Sequence, residues 1–300
     1  MATSQAIATV CFKTLLFATD FSPISESAVP YVLAIARSYQ SRLIVAHAVP
    51  IELWADMTPA ALASDVDPEY ESARLAMRRY DDRQIFAAVP HQFVLRKGGV
   101  RELVSGLVSD EDVDLVVLGT HGRGGLRKFL AGSCAEEVFR KVCCPILTVG
   151  PAAVGHASSS WEPRRILFAT DFSHGSLHAL PLALALAEQN HTDETPAELV
   201  LLHAVPLVPW EQQSEMAELY QQRLRKLLPQ DGSYACKLDF AVRFDLAASA
   251  ILAAAQDRNA DLIVMGARHT PLPGADAHTP WTTDSEVISR AHCPVLTVRG

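Results

Sequence analysis

Four short strings occur twice in this 300-residue chain, in the same order each time. LFATDFS occupies 16–22 and 167–173, and HAVP occupies 47–50 and 203–206. DLVVLG at 114–119 returns as DLIVMG at 261–266, and CPILTV at 144–149 returns as CPVLTV at 293–298. A shared order over so long a period indicates duplication of a domain-sized unit, not a solenoid of short repeats. The length suits two domains of roughly 150 residues, each large enough for its own core. The expected division is a first domain over 1–150, a linker over 151–163 and a second domain over 164–300. The linker region is rich in Gly, Ala, Ser and Pro and has no periodicity.

Within each copy, short apolar runs alternate with longer amphipathic stretches. The strand candidates of the first copy are 14–19, 43–49, 93–96, 115–118 and 146–149. Most are apolar on both faces, as in a buried parallel sheet. Ser22–Pro23 supplies an N-cap and a proline at the first helical position, so a helix is expected from there to about Tyr39. Further helices are expected over 69–87, 101–111 and 134–142. Such alternation defines an open α/β sheet with right-handed crossovers, whose ligands bind at the carboxyl ends of the strands.

Composition narrows the function classes. The chain is 49% hydrophobic and 20% charged, with a net charge of −8. There is no basic surplus for nucleic acid. The apolar runs are too short for a bilayer. Residues 1–11 carry no basic residue before their apolar stretch and do not read as a secretory signal. Six cysteines without a CxxC pair suit reduced thiols, and no metal site is expected. The expectation is a cytoplasmic protein with neither nucleic acid nor membrane as partner.

The segment richest in chemistry is 119–133, GTHGRGGLRKFLAGS. It follows an apolar run and precedes a helical stretch. Its glycines permit close backbone approach to an anion, and free N–H groups at a helix start meet phosphate oxygens. Ser133 adds a hydroxyl, and Arg123, Arg127 and Lys128 supply positive charge. A solvated surface loop is the plain alternative. The segment is neither a Walker loop nor GxGxxG.

The spacing Gly119-x-x-Gly122, nine residues, then Gly132-Ser133 resembles the ATP-binding subgroup of the universal stress protein family. The resemblance covers both halves. It implies doubly wound parallel sheets of strand order 3-2-1-4-5, with the two closing strands paired in an intrachain pseudo-dimer. A homodimer of whole chains is left open. It implies ATP as ligand, with magnesium an optional companion of the phosphates. The residues carried over are Ala18, Thr19 and Asp20 at the adenosine end and Ala48 at the adenine edge. Gly99 falls beside the ribose and phosphates, and Gly119, Gly122, Arg123, Gly132, Ser133 and Cys134 in the phosphate loop. Asp20 has a plain alternative as a helix cap. His47 and His203 read as satisfied core histidines and His121 as a positional filler.

The second copy departs at the phosphates. Gly266 is kept, but His269 stands for the second glycine and Trp281–Thr282 for Gly132–Ser133. Pro271, Pro273 and Pro280 remove amide donors. Phe244–Asp245–Leu246 replaces the glycine turn and brings a carboxylate. Asp171 is retained, either as a cap or as the remnant of an adenosine pocket. The leading expectation is a stress-linked regulatory protein binding one ATP in its first half. A slow ATPase and a scaffold without nucleotide are the alternatives. No catalytic residue is legible, because no nucleophile–base pair or general base is placed.

Overall fold

The computed structural model describes residues 9–50, 67–119, 142–153, 160–206, 208–229, 232–267 and 282–299. The first half contributes strands β1 (Thr14–Ala18), β2 (Arg42–Val49), β3 (His91–Lys97), β4 (Leu115–Gly119) and β5 (Ile146–Val149). The second contributes β6 (Arg165–Ala169), β7 (Glu198–Ala204), β8 (Lys237–Arg243), β9 (Leu262–Ala267) and β10 (Val295–Arg299). All ten form one sheet in the order β3-β2-β1-β4-β5-β10-β9-β6-β7-β8. Each half is therefore a parallel 3-2-1-4-5 sheet, and the halves join through β5 and β10, the one antiparallel pairing. Because that pairing reverses direction, the carboxyl ends of the two sets of strands point to opposite edges of the sheet.

Alternation along the strands explains why both faces are apolar. Leu15 and Phe17 of β1 join one core cluster with Leu43, Val45, Leu115 and Val117; Leu16 joins the other with Ile44, Ala46, Val116 and Leu118. Successive side chains point to opposite faces, so a sheet covered twice needs apolar residues at every position. Helices α2 (Val29–Tyr39) and α3 (Pro68–Asp82) contribute Val32, Ile35 and Tyr80 to the first cluster; α4 (Val100–Asp110) contributes Leu103, Val104 and Leu107 to the second.

The expected helix over 22–39 is two helices: α1 (Pro23–Glu26), capped by the Ser22 side chain, and α2. Pro30 sits in the first turn of α2 and has no N–H to continue the ladder from α1. The second copy repeats the break, with α5 (His174–Leu177), α6 (Leu180–Gln189) and Pro181. Helix α3 stops at Asp82 and not at Ala87, because Gln84 adopts a left-handed φ of 50°. Of the expected helix over 134–142, only Val142 lies within the described residues, and it is not helical there. Helices α7 (Trp210–Arg225), α8 (Ala247–Asp257) and α9 (Thr282–Arg290) complete the second half.

The junction between halves is closely fitted. The Thr148 hydroxyl donates to the Val295 carbonyl at 3.0 Å, and the Thr297 hydroxyl to the Ile146 carbonyl at 3.2 Å. Leu147 faces Leu296 in register, and both are buried. Past β5, Tyr31 Oη donates to the Ala153 carbonyl at 2.9 Å, and the Trp161 backbone N–H donates to Ser38 Oγ at 3.0 Å. Ala153 and Trp161, from the Gly/Pro-rich stretch, thus pack against α2. Among the described residues no helix is long and apolar enough to cross a membrane.

Candidate functional site

Strands β1 and β4 are neighbours, and the connection leaving β1 runs toward β2 while the one leaving β4 runs toward β5, so the two part at their carboxyl ends. Open α/β sheets hold ligands at such a switch point. Ala18 ends β1, Ala48 lies near the end of β2, Gly99 follows β3 and Gly119 ends β4. Four strand ends therefore bring Ala18, Thr19, Asp20, Ala48, Gly99 and Gly119 to one edge. Gly122, Arg123, Gly132, Ser133 and Cys134 lie outside the described residues, as do His121, Arg127, Lys128, His269 and Trp281.

Thr19 organises the turn. It is buried; its Oγ1 accepts from the Phe21 N–H at 3.0 Å and from the Ser25 hydroxyl at 2.9 Å. Its carbonyl accepts from His47 Nδ1 at 2.7 Å, which fixes the proton on that nitrogen. His47 is thus a satisfied histidine, packed 4.7 Å from the Phe21 ring. Phe21 holds a left-handed φ of 59°. That conformation costs a bulky residue on the order of 1–2 kcal/mol, offset here by the Thr19 bond and the contacts with His47 and Tyr80. Asp20 is exposed, and its Oδ1 accepts from the Ser22 N–H at 3.0 Å. The helix cap is Ser22, whose Oγ accepts from the Ser25 N–H at 3.2 Å. Asp20 is therefore not the cap; it tightens the turn before it.

The second half repeats these contacts almost atom for atom. Thr170 Oγ1 and Ser176 Oγ share a hydrogen bond at 2.8 Å, and the Phe172 N–H donates to Thr170 Oγ1 at 2.9 Å. His203 Nδ1 donates to the Thr170 carbonyl at 2.8 Å, and Asp171 Oδ1 accepts from the Ser173 N–H at 3.0 Å. Phe172 has φ 62°. The turn thus keeps its threonine, aspartate and phenylalanine for local reasons in both copies. The surroundings differ: the Arg223 guanidinium lies 4.1 Å over the Phe172 ring. Burial lowers the His203 pKa below its usual 6.5, and the charge of Arg223 pushes the same way.

The glycines separate by cause. A Cβ on Gly119 would lie 2.6 Å from Ser25 Cα and 2.8 Å from the Ile24 carbonyl oxygen, both backbone. One on Gly266 would lie 2.2 Å from the Gly175 carbonyl oxygen and 2.4 Å from Ser176 Cα. Both glycines let a short helix seat against the end of a strand. Gly98 is the residue of the β3–α4 turn that needs glycine, with φ 133°. Gly99 is the N-cap of α4, in extended backbone, without a side-chain cap hydrogen bond. Leu246 is the N-cap of α8, so Asp245–Leu246 stand where Gly98–Gly99 stand. This corrects the sequence register by one residue, since the β7–β8 pairing sets Arg243 opposite Ala204 as β2–β3 sets Arg96 opposite Ala48.

At the second switch point a cavity of about 80 Å³ opens to solvent, lined by Thr170, Leu202, Ile251, Met265, Thr283 and Asp284 among others. Sequence reading missed this wall. Counting back from Cys293–Pro294 against Cys144–Pro145 places Asp284 opposite Ala135, which was the available signal. Among the described residues no group of three or more His, Cys, Asp or Glu is placed to hold a metal ion. Burial pushes the Cys144 and Cys293 thiols up to about 12, so both are protonated near neutrality.

A duplicated open α/β protein with a switch point on each edge of one sheet is the class these features define. The sequence profile of the Universal stress protein family matches residues 12–150 and again 162–299, and the chain belongs to that family as a tandem of two such domains. A curated relative from Thermus aquaticus, a universal stress protein in the QAH/OAS sulfhydrylase 3' region, is 29% identical over 141 residues. That match spans 46% of this chain and 98% of the relative. A crystal structure of a universal stress protein from Archaeoglobus fulgidus covers 95% of this chain and 98% of its own, at 18% identity and TM-score 0.63. A universal stress protein solved in complex with cAMP covers 47% of this chain and 98% of its own, at 21% identity and TM-score 0.35.

Proposed function

We propose that the N-terminal half binds ATP and that the protein acts as a cytoplasmic, stress-linked regulator whose C-terminal half lacks a phosphate cradle. The observation that carries this reading is the glycine spacing Gly119-x-x-Gly122-x9-Gly132-Ser133, which departs from the carboxyl end of β4 beside Asp20 and Ala48. Ala18, Thr19 and Asp20 would hold the adenosine end and the Ala48 backbone the adenine edge. Gly122, Arg123, Gly132, Ser133 and Cys134 would hold the phosphates, with magnesium where the phosphates recruit it. The first turn of α4 carries its own carboxylate, Glu102, beside Gly99, so the support for phosphate binding is the glycine spacing and not this helix start. In the second half Asp245 stands where Gly98 stands, and its Oδ1 accepts from the Leu246 N–H at 2.7 Å.

The test is a calorimetric titration of wild-type protein and Gly132→Trp, with mass spectrometry of any nucleotide released on heat denaturation of freshly purified protein. The expected result is one ATP per chain and none for the folded variant. Undiminished affinity in the variant, two equal sites, or turnover of about 10 per second would overturn the reading.

A further inference from the structure

The short helix after β6 differs from its counterpart after β1 on the solvent side. Ser173 caps α5 as Ser22 caps α1, and the turn closes at His178 where the first half closes at Ser27. His174 therefore stands where Pro23 stands. Both histidines are exposed. The His178 N–H donates to the His174 carbonyl at 3.2 Å, so the two lie one helical turn apart on one face. Their rings are in contact, with centres 4.5 Å apart and planes inclined at 58°. His47, His91 and His203 each set Nδ1 against a backbone carbonyl, whereas His174 and His178 make no hydrogen bond among the described residues. The first half builds the same turn from Pro23 and Ser27, so folding does not demand the pair.

We infer that His174 and His178 form a chelating site for a divalent transition-metal ion of the copper(II) or nickel(II) type. A metal–imidazole bond of about 2.0–2.1 Å puts each ring centre about 3.2 Å from the ion. Centres 4.5 Å apart then subtend about 90° at the ion. A tetrahedral angle would set them about 5.2 Å apart. Adjacent positions at about 90° belong to the tetragonal geometries of copper(II) and nickel(II). The backbone beneath the pair is already fixed. The Ser176 N–H donates to Ser173 Oγ at 3.2 Å, Ser176 Oγ is bonded to Thr170 Oγ1, and Gly266 lets β9 press against Gly175 and Ser176. Little ordering is therefore left for the ion to impose. Two protein ligands leave the remaining positions to water or an outside ligand. The site stands independently of ATP binding in the first half.

The test titrates full-length protein with Ni(II) near neutral pH, where imidazole is free to bind. Ni(II) is the probe because the exposed thiols of Cys11 and Cys143 do not reduce it. Calorimetry compares wild type with His174→Gln and His178→Gln. Each substitution is expected to weaken the site at least about tenfold, since it turns a chelate into a single bond. His178→Ser, which copies Ser27 of the first half, gives the same loss and keeps the residue that this turn is known to fold with. In ¹⁵N-labelled wild-type protein, substoichiometric Ni(II) perturbs the amide resonances of residues 174–178 first. Equal affinity in wild type and in folded His178→Gln or His178→Ser overturns the inference. So does a Ni(II) titration of wild type that leaves residues 174–178 unmoved.

Discussion

Gly119→Ala and Gly266→Ala test whether the first glycine of each loop serves packing or phosphate. In Gly119→Ala the new methyl meets Ser25 Cα and the Ile24 carbonyl oxygen, both inside the 3.0 Å that real Cβ atoms essentially never reach. Neither neighbour is a flexible side-chain end, so the seat of α1 on β4 must move. Ser25 is buried and hydrogen-bonded to Thr19, so the shift also disturbs the turn that carries Asp20. Overpacking of this kind costs about 1–3 kcal/mol, or several degrees of Tm at about 2–4 °C per kcal/mol. Gly266→Ala brings closer overlaps, 2.2 and 2.4 Å, again with backbone. It is expected to cost at least as much, although its half is read as having no phosphate cradle. Differential scanning calorimetry of the two variants against wild type measures both losses. If Gly266→Ala leaves Tm unchanged, the packing argument fails. It fails equally if Gly119→Ala abolishes ATP binding with no change in Tm.

Two further predictions use the duplicated turn. Asp20→Ala is expected to weaken ATP binding by about 1.5–3 kcal/mol through a lost charge-assisted contact, whereas Asp171→Ala leaves ATP stoichiometry and affinity unchanged; calorimetric titration of each would expose a misjudged second copy if the losses match. For His203 the depressed pKa means that the unfolded chain binds the proton more readily than the folded one. The stability this residue contributes is complete above pH 6.5 and declines as pH falls from there toward its lower folded value. Tm measured between pH 7.5 and 5 should fall less steeply in His203→Gln than in wild type, and parallel profiles would remove His203 from the acid response.

Strands β1, β2, β4 and β5 were legible because each is largely a run of apolar residues covered on both faces, a pattern that needs no knowledge of neighbours, whereas the half-buried edge strand β3 gave a weaker signal. Repetition made the two-domain division legible, whereas the strand order and the pairing of the closing strands 146–149 and 295–298 came only with the family resemblance. Local backbone events were harder. Pro30 and Pro181 break their helices at positions where proline at a helix start would also have been unremarkable. Gln84 ends α3 by turning left-handed, although its residue type favours helix. Ser22 is the cap, as Ser22–Pro23 indicated, and the alternative capping role of Asp20 falls away because its carboxylate bonds within the turn instead. The wall made by Thr283, Asp284 and Ile251 was invisible because it joins two helices separated by a strand, and composition does not say which first turn faces a strand end. The same limit applies to the conformational demand at Gly98, which sequence cannot distinguish from Gly99.

The single sheet also explains how residues at one switch point can differ between the halves without loosening the other half. What the first half requires of the second is an edge: a strand to pair with β5. Left uncovered, β5 would present a row of unpaired N–H and C=O groups. β10 meets that need through backbone pairing, Leu296 and Thr297. Thr297 and Val298 pair with Met265 and Gly266 of β9, which line the cavity at the second switch point, while Thr170 and Leu202 line it from the β6 and β7 side of the second half. The pairing is made by backbone groups, whereas the cavity wall also uses side chains at the strand ends. A carboxylate such as Asp284 can enter the cavity wall, and the glycines after β9 can be replaced, while Thr148, Leu147, Leu296 and Thr297 keep the two halves joined. Ile288 of α9 touches both: its backbone carbonyl oxygen would lie 2.5 Å from a Cβ on Gly150, and its side chain packs in the cluster that holds Met265 and Ile251. Helix α9 therefore joins the wall of the cavity at the second switch point to the seat of Gly150, the residue that follows β5.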